Sequence, residues 1–430
     1  MSYHARMHRS QLPRTGLALG GIGAGWFEIC YVGDSATSEI YNNWPLFTGE
    51  RYPYNAKQSL FFMLWVKPEH ENPRLVLLQI EDGHESAAIE HVEFQYIFPW
   101  ISGVDTIDFR ASVPFADLDF GQEGLPLKVH LRAWSPFIPG NVRDSALPLA
   151  YFDFQVESTS HKPVDVQILA VARNAVGYDQ PERIYKHRRV RDGEFSAVIM
   201  ENGQMDPAGQ TTGTVCLASY SDKTTVYSGW EHQHPYYERL LREYPLPEVD
   251  DTDGRNGVDK ETGRRRAGAR CFVTAARAES LSGHGAGFRH TFAFTWHFPN
   301  LYGRPAKTSG KYNMHDPSEF SDEPEGHYYA RHFDSAEEVA RYGLSERDRL
   351  LAESLEFHRI FFDSDLPDFA LDQINSHLNT FRTSTWLTRT GMYGVLEGLS
   401  HRRPYAGIGT TDVAMYGQIA TSLLFPELDR

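Results

Sequence analysis

The sequence predicts an antiparallel β-sandwich followed by α-helices. Two observations support this prediction. Between about residues 60 and 300, apolar side chains recur at every second position in several segments; near residue 330 the spacing changes to three and four. Because the strands and helices do not alternate along the chain, we expect two segregated domains, residues 1–330 and 331–430.

The period-two pattern is clearest near the end of the predicted sandwich. Shorter segments with the same pattern cover residues 152–156 and 164–170, and residues 60–66 form a short apolar run typical of a buried strand. Turn-rich segments at residues 136–141 and 158–163 separate them. In the last predicted strand, every second position carries a large side chain: Phe288, His290, Phe292, Phe294, Trp296 and Phe298.

A glycine-rich segment near the start, GLALGGIGAG at residues 16–25, is similar in composition to a phosphate-binding loop. A dinucleotide fingerprint would need a helix directly after it and an acidic residue about 20 residues later. The next residues, WFEICYV at 26–32, instead have the composition of a strand. We therefore interpret the glycines as tight turns between strands.

Three helices are predicted after residue 330. Ser335 and Glu338 form a capping box ahead of a long helix over 336–362, whose apolar residues include Leu344 and Leu355. A second helix over 367–387 begins at Pro367, and a third runs from about Asp412 to residue 425. Three helices cannot enclose a core of their own, so we expect them to pack on the sandwich.

Composition excludes several classes of function. A net charge of −15 argues against binding to nucleic acid or an anionic membrane. The three separated cysteines, Cys30, Cys216 and Cys271, predict reduced structural thiols and no metal site. No apolar run is long enough to span a bilayer, and the first residues lack the apolar core of a secretory signal. The segment 244–268 is polar and is predicted to be an exposed loop. We expect a cytoplasmic protein that needs no cofactor.

The candidate site lies in the segment from residue 394 to residue 416. Glu397 follows a short apolar run and precedes a glycine, and Asp412 falls in the first turn of a predicted helix, where a charged carboxylate is favoured. Two carboxylates with nearby arginines and aromatics suit the binding and cleavage of a sugar. On spacing alone, a surface glutamate at a turn explains Glu397 better than a catalytic residue does. The remaining candidate substrate-binding residues are Arg402, Arg403, Tyr416 and, in the loop 42–45, Trp44.

Five segments together resemble glycoside hydrolase family 116, the family of the non-lysosomal glucosylceramidase (bile-acid β-glucosidase) and of bacterial β-glucosidases. They are GLALGGIGAG at 16–25, AWSPFIPGNVRDSALPLAYFDFQVES at 133–158, FPN at 298–300, LPDFALDQINSHLNTFRTSTWLTRTGMYGVLEG at 366–398 and TTDVAMYGQIATSLLFPEL at 410–428. Each motif alone is moderately specific, but all five occur in order along nearly the whole chain.

The resemblance implies a fold and a chemistry. Members combine an N-terminal, supersandwich-like β-sandwich with a C-terminal (α/α)6 barrel and hydrolyse β-glycosides with retention, through a covalent glycosyl-enzyme intermediate. The family's nucleophile matches Glu397 in Leu-Glu-Gly, and a supporting active-site acid matches Asp412. The segment between these acids is a few residues longer here. The resemblance places the acid/base further along the barrel, so we expect an N-terminal fragment that is inactive alone.

Other interpretations remain open at this point. The sandwich alone is also compatible with a non-catalytic carbohydrate-binding or assembly protein, because a fold does not determine chemistry. A different (α/α)6 enzyme, such as a glucoamylase-like or debranching hydrolase, would also combine a sandwich with helices. The sequence leaves open the aglycone, the choice among glucose, xylose and N-acetylglucosamine, and the oligomeric state.

Overall fold

The strands of the protein are distributed over most of its length. The computed structural model describes residues 3–8, 16–30, 35–42, 60–80, 101–177, 184–230, 233–250, 272–302, 324–396 and 411–429. In chain order the strands are β1 Tyr3–His8, β2 Gly16–Gly21, β3 Gly25–Cys30, β4 Ser35–Ser38, β5 Leu60–Pro68, β6 Arg74–Ile80, β7 Ile101–Val104, β8 Thr106–Ser112, β9 Phe115–Gly121, β10 Leu127–Trp134, β11 Leu149–Ser158, β12 Val164–Arg173, β13 Tyr185–Asp192, β14 Phe195–Asn202, β15 Thr214–Tyr220, β16 Thr224–Trp230, β17 Val249–Asp250, β18 Phe272–Leu281, β19 Gly287–His297, β20 Thr385–Leu387 and β21 Tyr393–Val395.

Two large sheets face each other as a sandwich. One has nine strands in the order β1-β8-β9-β10-β11-β19-β15-β14-β13, and the other has seven in the order β17-β16-β18-β12-β5-β6-β7. Their pairs are antiparallel except for β6 with β7 and β16 with β17. The predicted β-sandwich is therefore confirmed, with two parallel pairs added.

The inner faces of the two sheets form the main core. On β11, Phe152 and Phe154 point inward and pair with Phe292 and His290 of β19. Phe62 of β5, in the opposite sheet, packs on both phenylalanines at ring distances of 4.9 and 5.1 Å. The period-two pattern of the sequence thus sets which side chains meet between the sheets.

The helices are α1 Val142–Ser145, α2 Gln233–Arg242, α3 Ala336–Phe362, α4 Asp368–Leu378, α5 Thr380–Thr383 and α6 Thr411–Leu424. Short 3-10 helices cover Tyr328–Arg331 and Pro426–Leu428. Helix α3 has its predicted bounds and cap, with Ser335 Oγ accepting from the Glu338 amide at 3.2 Å. Helix α2 was not predicted from the sequence. In the described part of the chain, no helix has both the length and the apolar character needed to cross a lipid bilayer.

Helix α3 packs on the outer face of the nine-stranded sheet. Tyr151 donates to the Gly343 carbonyl at 2.7 Å, and Arg347 pairs with Asp153 at 2.6 Å. Gly343 lies on the face of α3 that contacts the sheet. A Cβ there would lie 3.0 Å from the Tyr151 hydroxyl, so the close contact requires a residue without a side chain. Of the apolar residues named in the prediction, Leu344 is partly buried against the core, whereas Leu355 is exposed.

The predicted helix over 367–387 is wrong in its second half. Helix α4 ends at Leu378, α5 adds a single turn, and strand β20 follows. Hydroxyl groups compete with the helical ladder here, since Thr380 donates to the His377 carbonyl at 2.6 Å and Thr385 to the Phe381 carbonyl at 2.7 Å. The third helix, α6, is confirmed close to its predicted bounds. The division into domains at residue 330 stays a prediction.

Candidate active site

The chain approaches Glu397 along a short β-hairpin. Strands β20 and β21 pair antiparallel, with Thr385 opposite Val395 and Leu387 opposite Tyr393. The pairing continues one step further, because the Leu396 amide donates to the Ser384 carbonyl at 2.8 Å. Leu396 is 2% exposed. The residue directly before Glu397 is therefore held by both a hydrogen bond and burial.

The glycine turn, residues 21–25 between β2 and β3, lies directly against this hairpin. The Gly23 amide donates to Thr385 Oγ1 at 3.0 Å, and Asn42 Nδ2 donates to the Gly23 carbonyl at 2.9 Å and to the Thr385 carbonyl at 3.3 Å. Gly23 has φ +63°, and a Cβ there would lie 2.4 Å from the Leu387 amide nitrogen. Only glycine fits this position, since both the backbone conformation and the contact distance exclude a side chain.

The same turn is fixed to the sandwich. Trp296 Nε1 of β19 donates to the Ala24 carbonyl at 2.8 Å, and the Ile22 amide donates to the Ser145 carbonyl at 2.8 Å. The Gly20 amide donates to Ser135 Oγ at 2.8 Å. The glycine-rich segment thus connects the sandwich to the hairpin. The prediction of a tight turn between strands is confirmed, and in the structure this turn contacts both the sandwich and the hairpin.

The other end of the hairpin is attached through the FPN segment at 298–300 and the residues just before the 3-10 helix Tyr328–Arg331. His327 forms an isolated antiparallel bridge with Thr388, and its Nδ1 lies 2.7 Å from the Phe298 carbonyl. Burial lowers the pKa of His327 to about 4, although the hydrogen bond to that carbonyl favours the charged ring. The ring is therefore neutral at physiological pH and donates from Nδ1.

Helix α6 packs along β21 in the opposite direction. Val395 Cγ2 lies 3.6 Å from the position that a Cβ on Gly417 would take, and Tyr393 Oη lies 3.4 Å from Thr421 Oγ1. Moving forward along the strand therefore corresponds to moving backward along the helix. The first turn of α6 lies toward the end of the strand at which the chain passes Leu396.

Of the predicted site residues, Asp412 and Tyr416 fall at the second and sixth positions of α6. This four-residue spacing places them on one face of the helix, but their side chains are outside the described part of the structure. Glu397, Arg402, Arg403 and Trp44 also lie outside the described residues.

A cavity of about 340 Å³ lies at the turn end of the hairpin. Leu387 pairs at that end and Leu396 at the other, so three strand residues, roughly 10 Å, separate the cavity from Leu396. The described residues that line it are Gly140, Asn141, Val142, Arg143, Tyr328, Leu387, Gly391, Glu427 and Leu428.

Three residues that organise this region were missed from the sequence. They are Arg382, Thr385 and Asn42, which tie the hairpin to the glycine turn and the sandwich. Nothing in their local sequence marks them, because Thr385 contacts Gly23 from 362 residues away, and Arg382 contacts Ala18 and Ser135 from 364 and 247 residues away. Within the described residues, no group of three His, Cys, Asp or Glu side chains could hold a metal ion.

The comparison with protein families decides the assignment. Residues 16–350 match the family described as beta-glucosidase 2, glycosyl-hydrolase family 116 N-term. The chain belongs to glycosyl-hydrolase family 116. The match to family 116 extends from β2 to the middle of α3, so it contains the glycine turn and both sheets of the sandwich except β1, while the hairpin follows it. A search of curated proteins found no match to this chain.

Proposed function

We propose that this chain is the N-terminal part of a retaining β-glycosidase that hydrolyses β-glucosides. Membership of family 116 supports a glycosidase. The observation that carries the site assignment is the antiparallel packing of α6 on β21, shown by the contacts of Gly417 with Val395 and of Thr421 with Tyr393. It brings the first turn of α6, with Asp412, toward the strand end that precedes Glu397.

In the proposed mechanism Glu397 is the nucleophile. Its carboxylate attacks the anomeric carbon, and the glycosidic oxygen leaves with a proton from a second carboxyl group about 5–5.5 Å away. Water then attacks the glycosyl-enzyme ester, gives its proton back to that second group, and releases the sugar and the free carboxylate. The overall change is hydrolysis with retained configuration.

Asp412 is assigned a supporting role in this mechanism. The N-terminus of a helix favours the ionised form of a carboxyl group and so disfavours the raised pKa that an acid/base needs. The resemblance to family 116 places the acid/base further along the barrel than these residues, and we expect no turnover by the 430 residues alone. Tyr416, Arg402, Arg403 and Trp44 are proposed to contact the substrate.

The helical part, from α3 to α6, is proposed to be the start of an (α/α)6 barrel, and the enzyme is proposed to act in the cytoplasm. Exposed apolar side chains cluster in this part of the chain, which fits helices that pack on further helices. The large ones are Leu355, Ile360, Leu366, Phe369, Ile374, Met392, Met415, Ile419 and Leu423.

The kinetics of two isosteric variants test the proposal. With an aryl β-glucoside and the full-length protein, Glu397→Gln removes the nucleophilic charge and is expected to lower kcat by several powers of ten, because the covalent route is lost. Asp412→Asn is expected to lower kcat without abolishing it. Turnover of Glu397→Gln close to that of the wild type would rule out the assignment, and a wild-type protein that binds β-glucosides without cleaving them would indicate a carbohydrate-binding protein.

A further inference from the structure

Arg382 is a buried cation without an acidic partner among the described residues. The side chain is 2% exposed, and burial lowers the pKa of its guanidinium to about 9. Nη1 donates to the Ala18 carbonyl at 2.7 Å and Nη2 to the Ser135 carbonyl at 2.7 Å. The guanidinium also lies 5.8 Å from the centre of the Phe137 ring.

The two carbonyl groups belong to segments far apart in the sequence. Ala18 is on β2, which leads into the glycine turn, and Ser135 directly follows β10. Ser135 also accepts the Gly20 amide through its hydroxyl. The planar fork of an arginine can hold two such acceptors in one fixed geometry, which a lysine cannot do. Arg382 therefore joins α5 to the strand before the glycine turn and to the sandwich.

A short path of described residues connects Arg382 to Leu396, the residue before the candidate nucleophile. Two residues further along the chain, the Ser384 carbonyl accepts the Leu396 amide at 2.8 Å, and Glu397 follows Leu396 in the sequence. Thr385, the next residue, is fixed by the Gly23 amide. A shift of α5 relative to β2 would consequently pass through Ser384 to the residue that precedes Glu397.

Packing alone does not explain an arginine at this position. Desolvating a charged group is costly, and here no carboxylate in the described part of the chain offsets that cost. An apolar side chain of similar volume would fill the space without it. The arginine instead fixes the position of α5, the segment to which it belongs, relative to β2 and the sandwich.

We propose that Arg382 is a positioning residue, which fixes the Leu396 end of the hairpin by holding the Ala18 and Ser135 carbonyls together. This inference rests on the proposed role of Glu397. Reacting groups must be placed to within fractions of an ångström, and a misplacement of about 1 Å lowers a rate by roughly 100-fold. The effect of Arg382 should therefore fall on kcat more than on KM.

The test compares Arg382→Lys and Arg382→Met in the full-length protein, with Arg277→Met as the matched control. Arg277 is also buried, but it lies on β18 in the sandwich and pairs with Glu279. We expect Arg382→Met to lower kcat roughly 30- to 300-fold and Arg382→Lys roughly 5- to 20-fold, with KM changed less than about threefold. Arg277→Met should leave kcat unchanged at a temperature at which every variant is folded.

Hydrogen exchange of residues 384–396 provides a readout that does not need activity. Both Arg382 variants should speed exchange of the Leu396 amide, and Arg277→Met should not. If Arg382→Met does not fold, Arg382→Lys decides the question, because it keeps the charge and loses only the fork. Wild-type values of kcat and exchange in Arg382→Lys would overturn the inference. An inactive wild-type protein would instead disprove the proposed function, and the exchange measurement would still decide whether Arg382 fixes this strand end.

Discussion

Replacing Thr385 with valine tests the contact between the glycine turn and the hairpin. Valine has nearly the shape of threonine, so packing is kept while two hydrogen bonds are lost. Oγ1 of Thr385 accepts the Gly23 amide at 3.0 Å and donates to the Phe381 carbonyl at 2.7 Å. A buried donor without a partner costs about 1–3 kcal/mol, and the second bond contributes about 1 kcal/mol. The local free energy of opening should fall by roughly 2–4 kcal/mol.

The assay is hydrogen exchange followed by mass spectrometry on peptides covering residues 16–25 and 381–396. Since every 1.4 kcal/mol is a factor of ten, exchange of these amides should speed up by roughly 30- to 1,000-fold. Thr225→Val is the matched control, because its buried Oγ1 has no hydrogen-bond partner in the described structure. Exchange rates in Thr385→Val that equal those of Thr225→Val would show that the Thr385 hydroxyl does not hold the glycine turn against the hairpin.

Three further predictions concern stability and association. In urea unfolding, Gly23→Ala should lower the free energy of unfolding more than Gly124→Ala does. Both glycines have positive φ, but only at Gly23 would the added Cβ lie within 3 Å of backbone atoms. Equal losses of stability in the two variants would contradict this. Burial lowers the pKa of His187 to about 4. As the pH is lowered, this histidine is protonated in the unfolded chain before it is protonated in the folded protein, so the free energy of unfolding falls between about pH 6.5 and pH 4. His187→Gln should reduce that slope by up to about 1.4 kcal/mol per pH unit, and an unchanged slope would argue against it. The 430 residues alone should self-associate through exposed apolar side chains. Ile419 and Leu423 are 64% and 77% exposed, so the double variant Ile419→Lys, Leu423→Glu should shift sedimentation toward monomer. A wild-type chain that sediments as a monomer and binds no hydrophobic dye would disprove this.

The sandwich could be predicted from the sequence because its signal is local. Period-two alternation in β11 and β19 directly records which side chains face the core, and the change of period marks the start of α3. Strand order and the two parallel pairs could not be predicted, since they depend on contacts between distant segments.

The hairpin shows why the second half of the predicted helix over 367–387 was wrong. The apolar stripe of α4 continues into Phe381, which is why the pattern favoured one helix. The outcome was instead set by hydroxyl groups that bond to nearby carbonyls and by Gly23, which contacts β20 from more than 360 residues away. Local pattern cannot contain such a contact.

The role of the glycine-rich segment was only half predictable. Its residues indicate tight turns, and that prediction is confirmed. The reason for a glycine at position 23 is the close approach of Leu387, which depends on the folded arrangement of the hairpin. The assignments of Glu397 and Asp412 came from the resemblance to family 116, and they stay predictions.

Covalent labelling identifies the nucleophile directly. The full-length protein is incubated with a 2-deoxy-2-fluoro-β-glucoside that carries a good leaving group, which allows the first half-reaction and slows the second. Peptide mapping by mass spectrometry then locates the adduct. We expect one fluoroglucosyl group on Glu397, slow labelling in Asp412→Asn and none in Glu397→Gln. An adduct on any other carboxylate would contradict the assignment of the nucleophile.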